Sequence, residues 1–342
     1  MNERCCAIIA SIGGESMQHK DPPFEITNKM LTLITEISEL VGRVSATERL
    51  SASPALRRSN RIRTIYSSLA IEQNTLSLDQ VTAVLEGKHV IAPPKDIKEV
   101  QNAYEIYEHL DKLDPYSVDD LLYAHGIMTR GLTEESGEFR SRPVGVVDRY
   151  GQVLHFGSLP AYVPQLVSEL MEWTRNSDLH MLIKSCVFHY EFELIHPFAD
   201  GNGRIGRLWH TLLLSRRNPV FAWLPVESII HDRQREYYES INRSNDDASS
   251  TVFIEFMLSA IKEALEEAVS LDAPDINADL RWSAVQRYLN KHPFITNSDV
   301  RELLKVSPAT ANRILAGFCR EGKLVKLHMG RTWAYKPIYT SE

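Results

Sequence analysis

Pro197 separates two apolar helical patterns in the stretch FELIHPFADGNGRIGRLWHTLLL, residues 192–214. The residue before a proline is pushed out of the α region, so a helix arriving from about residue 177 must end near His196. HPFADG is then a short loop. Gly201 and Gly203 flank Asn202, where a new helix begins on the stripe Ile205, Leu208, Trp209, Leu212 and Leu213. Glycines at such a junction leave backbone N–H groups facing outward at a helix N-terminus, an arrangement that favours an anion. Arg204 and Arg207 are three residues apart, share a helix face and add positive charge over the same place. One His, one Asp, a backbone nest and two arginines therefore meet within twelve residues. That is the inventory of a phosphate-handling centre: the nest cradles the anion, Asp200 holds Mg²⁺ and His196 takes a proton.

Other chemistries fit this stretch less well. Glu193-x-x-His196 matches half of a di-iron ligand set, which needs a second helical copy. The only other copy, Glu86-x-x-His89, contains Gly87 at a helix end. A calcium loop would want an acid at its fifth position, where Arg204 stands, and Glu at its twelfth, where Thr211 stands. The Gly-Lys-Ser/Thr of a Walker loop is absent.

The rest of the chain reads as mainly α. Helical patterns run over 24–44 (opened by Thr27), 57–72, 95–113, 116–129, 164–175, 177–195, 202–216, 232–244 and 251–269. Ser77-x-x-Gln80 is a capping box for a further helix through about Glu86. Residues 144–156, VGVVDRYGQVLHF, alternate around a turn as a β-hairpin. LDAPDINAD reads as a linker near 271–280, and residues 1–16 as a disordered extension, with Met17 a second start. Beyond the linker, helices over 281–290, 298–304 and 308–321 precede two strands around Met329-Gly330, the order of a winged helix-turn-helix in residues 281–342. The domains expected are thus 17–113, 114–270 and 281–342.

With 43% hydrophobic and 24% charged residues, the 342-residue chain has the material for a packed core. No apolar run approaches the ~18 residues of a membrane span. Cysteines at 5, 6, 186 and 319 show neither metal-ligand spacing nor a secreted disulfide framework, so a cytoplasmic setting is expected. Charge is uneven. Residues 277–342 carry 11 basic against 5 acidic side chains, leaving the remainder at −13 of the total −7. A basic tail suits either DNA, read by Asn312, Arg313 and Arg320 with Arg331 and Lys336 beside the wing, or a protein partner.

The run His196–Arg207 resembles the Fic-family signature H-x-F-x-[D/E]-G-N-G-R-x-x-R at every specified position. The whole organisation is similar to bacterial stand-alone Fic protein adenylyltransferases, which transfer AMP from ATP to hydroxyl side chains of target proteins. The resemblance implies a Fic helical core with a β-hairpin flap. His196 would be the general base toward a target Ser, Thr or Tyr, and Phe198 a buried loop anchor. Asp200 would bind Mg²⁺ across the α- and β-phosphates. Gly201, Asn202 and Gly203 would form the anion hole, with Arg204 on phosphate and Arg207 on the γ-phosphate. Ser68-Leu-Ala-Ile-Glu72-Gln73 resembles the family's inhibitory motif [S/T]-x-x-x-E-[G/N], departing from it at Gln73. Glu72 would then compete with the γ-phosphate for Arg207, a carboxylate mimicking phosphate oxygen toward a guanidinium. The hairpin would be the target-docking flap through Val146, Val147, Val153 and Leu154. Tyr237-Tyr238-x-x-Ile241-x-x-x-Asn245 resembles the family's nucleoside stretch, placing Tyr238, Ile241 and Asn245 at the adenine; the same stripe also suits a core. The resemblance makes a homodimer the expected assembly. It leaves open removal of AMP, or a DNA-binding regulator whose Fic core only senses nucleotide.

Overall fold

The computed structural model describes residues 21–46, 53–147, 153–272, 278–306, 308–329 and 332–338. The expected extension 1–16, the hairpin turn 148–152 and Arg331 lie outside them. The chain divides into two compact units with the boundary at Asp272/Ala273.

The larger unit is helical because its sequence repeats at the helical period and its ends are capped. It comprises α1 (Asn28–Ala46), α2 (Pro54–Ile71), α3 (Leu78–Leu85), α4 (Pro94–Glu108), α5 (Val118–Met128), the strands β1 (Gly145–Val147) and β2 (Val153–Phe156), then α6 (Val163–Asn176), α7 (Met181–Ile195), α8 (Asn202–Arg217), α9 (Val226–Asp232), α10 (Gln234–Asp247) and α11 (Thr251–Asp272). Ser53 caps α2 with Pro54 in the first turn, and Ser77 with Gln80 forms the capping box of α3. Helices α7 and α8 pack together and are buried nearly all round, which makes them the centre of the unit. Phe188, Phe192, Trp209 and Leu212 from this pair, and Phe198 from the loop between them, are fully buried. Helix α1 lies along α11, tied by Lys29 to Glu255 at 2.9 Å and by Glu36 to Lys262 at 2.9 Å. Helix α2 rests on α9 and contacts α8.

Several element boundaries differ from the sequence expectation. The pattern over 95–113 stops at Glu108 and ends in a 3₁₀ turn, Leu110–Lys112. The helix expected from 177 begins at Met181, because His180 turns its ring back to accept the Leu182 N–H at 3.3 Å. The helix expected over 232–244 is α10, Gln234–Asp247, and a further short helix that the sequence did not display, α9, precedes it and ends at Asp232. The seven residues of α9 are too few to display a helical period. The hairpin pairs antiparallel, Gly145 with Phe156 and Val146 with His155.

The smaller unit contains α12 (Ala278–Leu289), β3 (Ile295–Thr296), α13 (Asn297–Leu304), α14 (Pro308–Arg320), β4 (Leu324–Met329) and β5 (Thr332–Pro337). Strand β5 lies between β3 and β4, antiparallel to both. Thr296 and Asp299 form a capping box on α13. Val285, Ile295, Leu315, Phe318, Leu324 and Tyr335 make a separate core.

Candidate active site

The junction between α7 and α8 is held in shape from three sides. His196 ends α7 in the left-handed region, φ 52° and ψ 63°, while its N–H still donates to Phe192 O at 3.0 Å. The Pro197 ring forbids the α conformation there, and the left-handed turn swings the chain away from the helix axis. Arg140 clamps the turn. Its Nε donates to His196 O at 2.7 Å, and its other nitrogens reach the carbonyls of Arg142, Ser158 and Ile195. Residues 136–143 had no periodicity to read in the sequence. They carry this clamp, and a buried arginine in a loop is the signal that identifies it only once burial is known.

Phe198, expected to be a buried loop anchor, is fully buried. It stacks on the His125 ring, centroids 3.7 Å apart and planes within 3°. His125 was not singled out by the sequence. Its Nδ1 accepts the Gly137 N–H at 3.0 Å, so its Nε2 carries the proton and donates to Asp200 O at 3.0 Å. Burial lowers this imidazole to about 4, which keeps it neutral.

Asn202 works through its side chain in a way the anion-hole assignment did not anticipate. Its Oδ1 accepts Phe198 N–H at 2.9 Å and its Nδ2 donates to Phe198 O at 2.8 Å, stapling the loop across four residues. Gly201, at φ 87°, takes the left-handed position just before α8.

The two arginines do not cover one site. Arg204 turns toward Asp200, at 2.8 Å from Nη2, and Glu99, at 3.3 Å from Nη1. Arg207 turns to α2: its Nε donates to Ser68 Oγ at 3.1 Å, and its Nη2 to Ser68 O at 2.9 Å and Glu72 Oε1 at 2.8 Å. Both guanidiniums are buried, so each needs its acid. Burial lowers the Arg207 pKa, but Glu72, joined by Tyr237 and Tyr238, outweighs that and raises it overall. Burial raises Asp200, and Arg204 with the Gly201 N–H outweighs it, so this carboxyl lies below the usual range. Its side chain is 45% exposed. A single ionised, reachable carboxylate fits Mg²⁺, which keeps waters and takes its remaining ligands from phosphate. Among the described residues no three His, Cys, Asp or Glu side chains gather as a metal site, so the di-iron reading of Glu193-x-x-His196 has no second half.

Glu72 is the C-cap of α2. Gln73 follows in the left-handed region at φ 67°, its N–H on Ala70 O and the Asn74 N–H on Leu69 O, the bond pair of a Schellman turn. This explains the departure at Gln73: glycine and asparagine take that conformation readily, and here glutamine is held in it. Gln234 of α10 donates to Ile71 O at 2.9 Å and pins the same helix end.

Of the nucleoside stretch, Tyr237 is buried, Tyr238 is half-exposed beside Glu72 and Arg207, and Ile241 packs on the core. Asn245 Oδ1 accepts from Tyr190 OH at 2.8 Å. The hairpin reaches the junction through Gly157 N–H on Val144 O and Ser158 N–H on Ile195 O. The side chains of Val146, Val147, Val153 and Leu154 lie outside the described residues.

The central loop of this helical unit thus carries backbone amides, an ionised Asp and an imidazole within a few residues of one another, and the comparisons say which proteins share this fold. Residues 112–214 match the Fic/DOC family. The crystal structure of a Fic family protein from Desulfovibrio desulfuricans G20 superposes with a TM-score of 0.72 at 40% identity, covering 94% of this chain and 99% of that one. The protein adenylyltransferase fic-1 of Caenorhabditis elegans is 32% identical over 212 residues, 57% of this chain and 39% of the relative. The protein adenylyltransferase Fic of Nematostella vectensis is 30% identical over 193 residues, 53% of this chain and 42% of the relative. The chain spans about two-fifths of the length of these curated relatives. It belongs to the Fic family.

Proposed function

We propose that this chain transfers AMP from Mg-ATP to the hydroxyl of Ser, Thr or Tyr on target proteins and on itself, restrained by Glu72. The observation that supports the reading is the loop itself: His196, Asp200 and Gly201–Gly203 lie within eight residues between two packed helices, on a loop that Arg140 and the Asn202 side chain hold. The hydroxyl oxygen bonds to the α-phosphorus while its proton passes to His196, and the bond to the β-phosphate oxygen breaks, releasing pyrophosphate. Mg²⁺, held by Asp200, would neutralise charge on the phosphates. The adenylyltransferase names of the relatives support the same chemistry. Arg207 is the expected γ-phosphate ligand, and Glu72 occupies it.

The test uses ATP labelled at the α-phosphate. His196→Ala is expected to abolish labelling while nucleotide still binds, and Glu72→Gly to raise self-labelling. Full labelling by the first variant, or equal rates for the second and wild type, would remove the corresponding role.

For residues 281–342 the proposed partner is duplex DNA. Its support is the basic charge of this unit and a hairpin that carries a half-exposed Trp333 with Lys326 Nζ 4.1 Å from its ring centroid.

A further inference from the structure

Two carboxylates lie against the glycine-bared side of α8. A Cβ at Gly203 would collide with Glu72 Oε1, and one at Gly206 would stand 2.9 Å from Glu193 Oε1. Gly203 and Gly206 are three residues apart, so the two acids occupy neighbouring places on one helix face. Glu72 has its guanidinium. Glu193 has none: its Oε1 is buried without a hydrogen bond among the described residues, 3.9 Å from His189 Nε2. Burial, with His210 and Arg207 adding to it, holds His189 well below the ordinary imidazole value, so it offers no counter-charge. Its Nε2 shares a hydrogen bond with Tyr237 OH at 3.2 Å. On the other side, Glu193 Oε2 lies 3.9 Å from His196 Nδ1, and Glu193 O lies 3.3 Å from the same nitrogen.

The charged and titratable groups around Glu193 are therefore Glu72 from α2, Arg207 from α8, His189 and His196 at its own helix, and Tyr237 and Tyr238 from α10. Burial raises both phenols, so they stay neutral. Burial, and then the charge of Glu72, raise Glu193 to about 8 against the pull of Arg207.

We infer that Glu193 is a positioning residue for His196, one that supports the His196 imidazolium only once Glu72 has left Arg207. The inference rests on the reading of His196 as the base and Glu72 as its inhibitor. In the nucleotide-free chain, removing Glu72 deletes a like charge and leaves Arg207 unopposed, and both changes favour the ionised Glu193. A carboxylate 3.9 Å from Nδ1 stabilises the imidazolium that forms when Nε2 takes the hydroxyl proton, while the Glu193 carbonyl, 3.3 Å from Nδ1, accepts its hydrogen bond and leaves Nε2 as the open nitrogen. Glu72 thus acts twice. It fills the guanidinium, and it silences the counter-ion of the base.

The experiment is an NMR titration of the His196 imidazole in the full chain, in wild type, Glu193→Gln, Glu72→Gly and the double variant. Glu193→Gln is expected to lower the His196 pKa by about one unit or more when Glu72 is glycine, and by less than half as much when Glu72 is present. An equal effect in both backgrounds, or none in either, overturns the inference. A carboxyl ¹³C titration of Glu193 needs no substitution at that position: its pKa falls by about one unit or more in Glu72→Gly, and an unchanged value overturns the inference equally. The readout is the imidazole or the carboxyl and not product, so the two readings fail separately. Coupling without any gain in AMP transfer sinks the inhibitory role of Glu72 alone, and gain without coupling sinks the role of Glu193 alone.

Discussion

At the scale of single residues, the loop is rigid because side chains satisfy its backbone. Asn202 supplies both partners of Phe198, whose N–H and C=O would otherwise be buried unpaired. Asn202→Ala leaves both orphaned and is expected to cost about 1–3 kcal/mol in thermal or urea unfolding. Asn202→Asp keeps the acceptor and loses the donor, so its loss falls between wild type and alanine. A cost no larger than that of an exposed asparagine would show the loop to be held by its other ties. The motif His196–Arg207 was readable because its chemistry and spacing are local. Arg140, His125 and Glu99 were not, since each comes from a distant segment and matters only through where the fold delivers it.

At the scale of elements, the end of one helix meets the first turns of another. Helix α2 closes with Glu72 as its cap, and α8 opens with the amides and Arg207. The strained residue is Gln73, whose left-handed backbone costs roughly 1–2 kcal/mol for an ordinary side chain. Gln73→Asn is expected to ease that strain, raise the melting temperature and lower self-labelling by several-fold through a firmer Glu72 seat. Unchanged melting and unchanged labelling would show that the turn carries no usable strain. The sequence displayed long helices faithfully, because Leu, Ile and aromatic residues recur at 3.6. It concealed α9 and misplaced the start of α7, where a proline and a histidine cap override periodicity.

At the scale of the molecule, two units carry opposite charge. The basic excess of residues 277–342 sits apart in sequence from an acidic helical body. If the smaller unit meets duplex DNA, affinity of the full chain must fall steeply with salt, since counterions are released from phosphate. The Arg320→Ala, Lys336→Ala double variant is expected to weaken binding and flatten the log–log salt slope by about 1–2. Fluorescence anisotropy with a labelled duplex measures it. A slope identical to wild type would direct attention to a protein partner instead. Among the described residues no helix is long and apolar enough to cross a membrane.

The tether between Gln234 and the carbonyl of Ile71 has a kinetic consequence. It fastens the end of α2 while leaving the Glu72 side chain about one-third exposed. If the carboxylate swings out about its own bonds with the helix still in place, its release is a side-chain motion and not a local unfolding. Glu72 would therefore behave as a fast competitor and not as a slow gate. Nucleotide would enter in a single relaxation whose rate climbs steadily with ATP, its apparent affinity discounted by the fraction of time the guanidinium is taken.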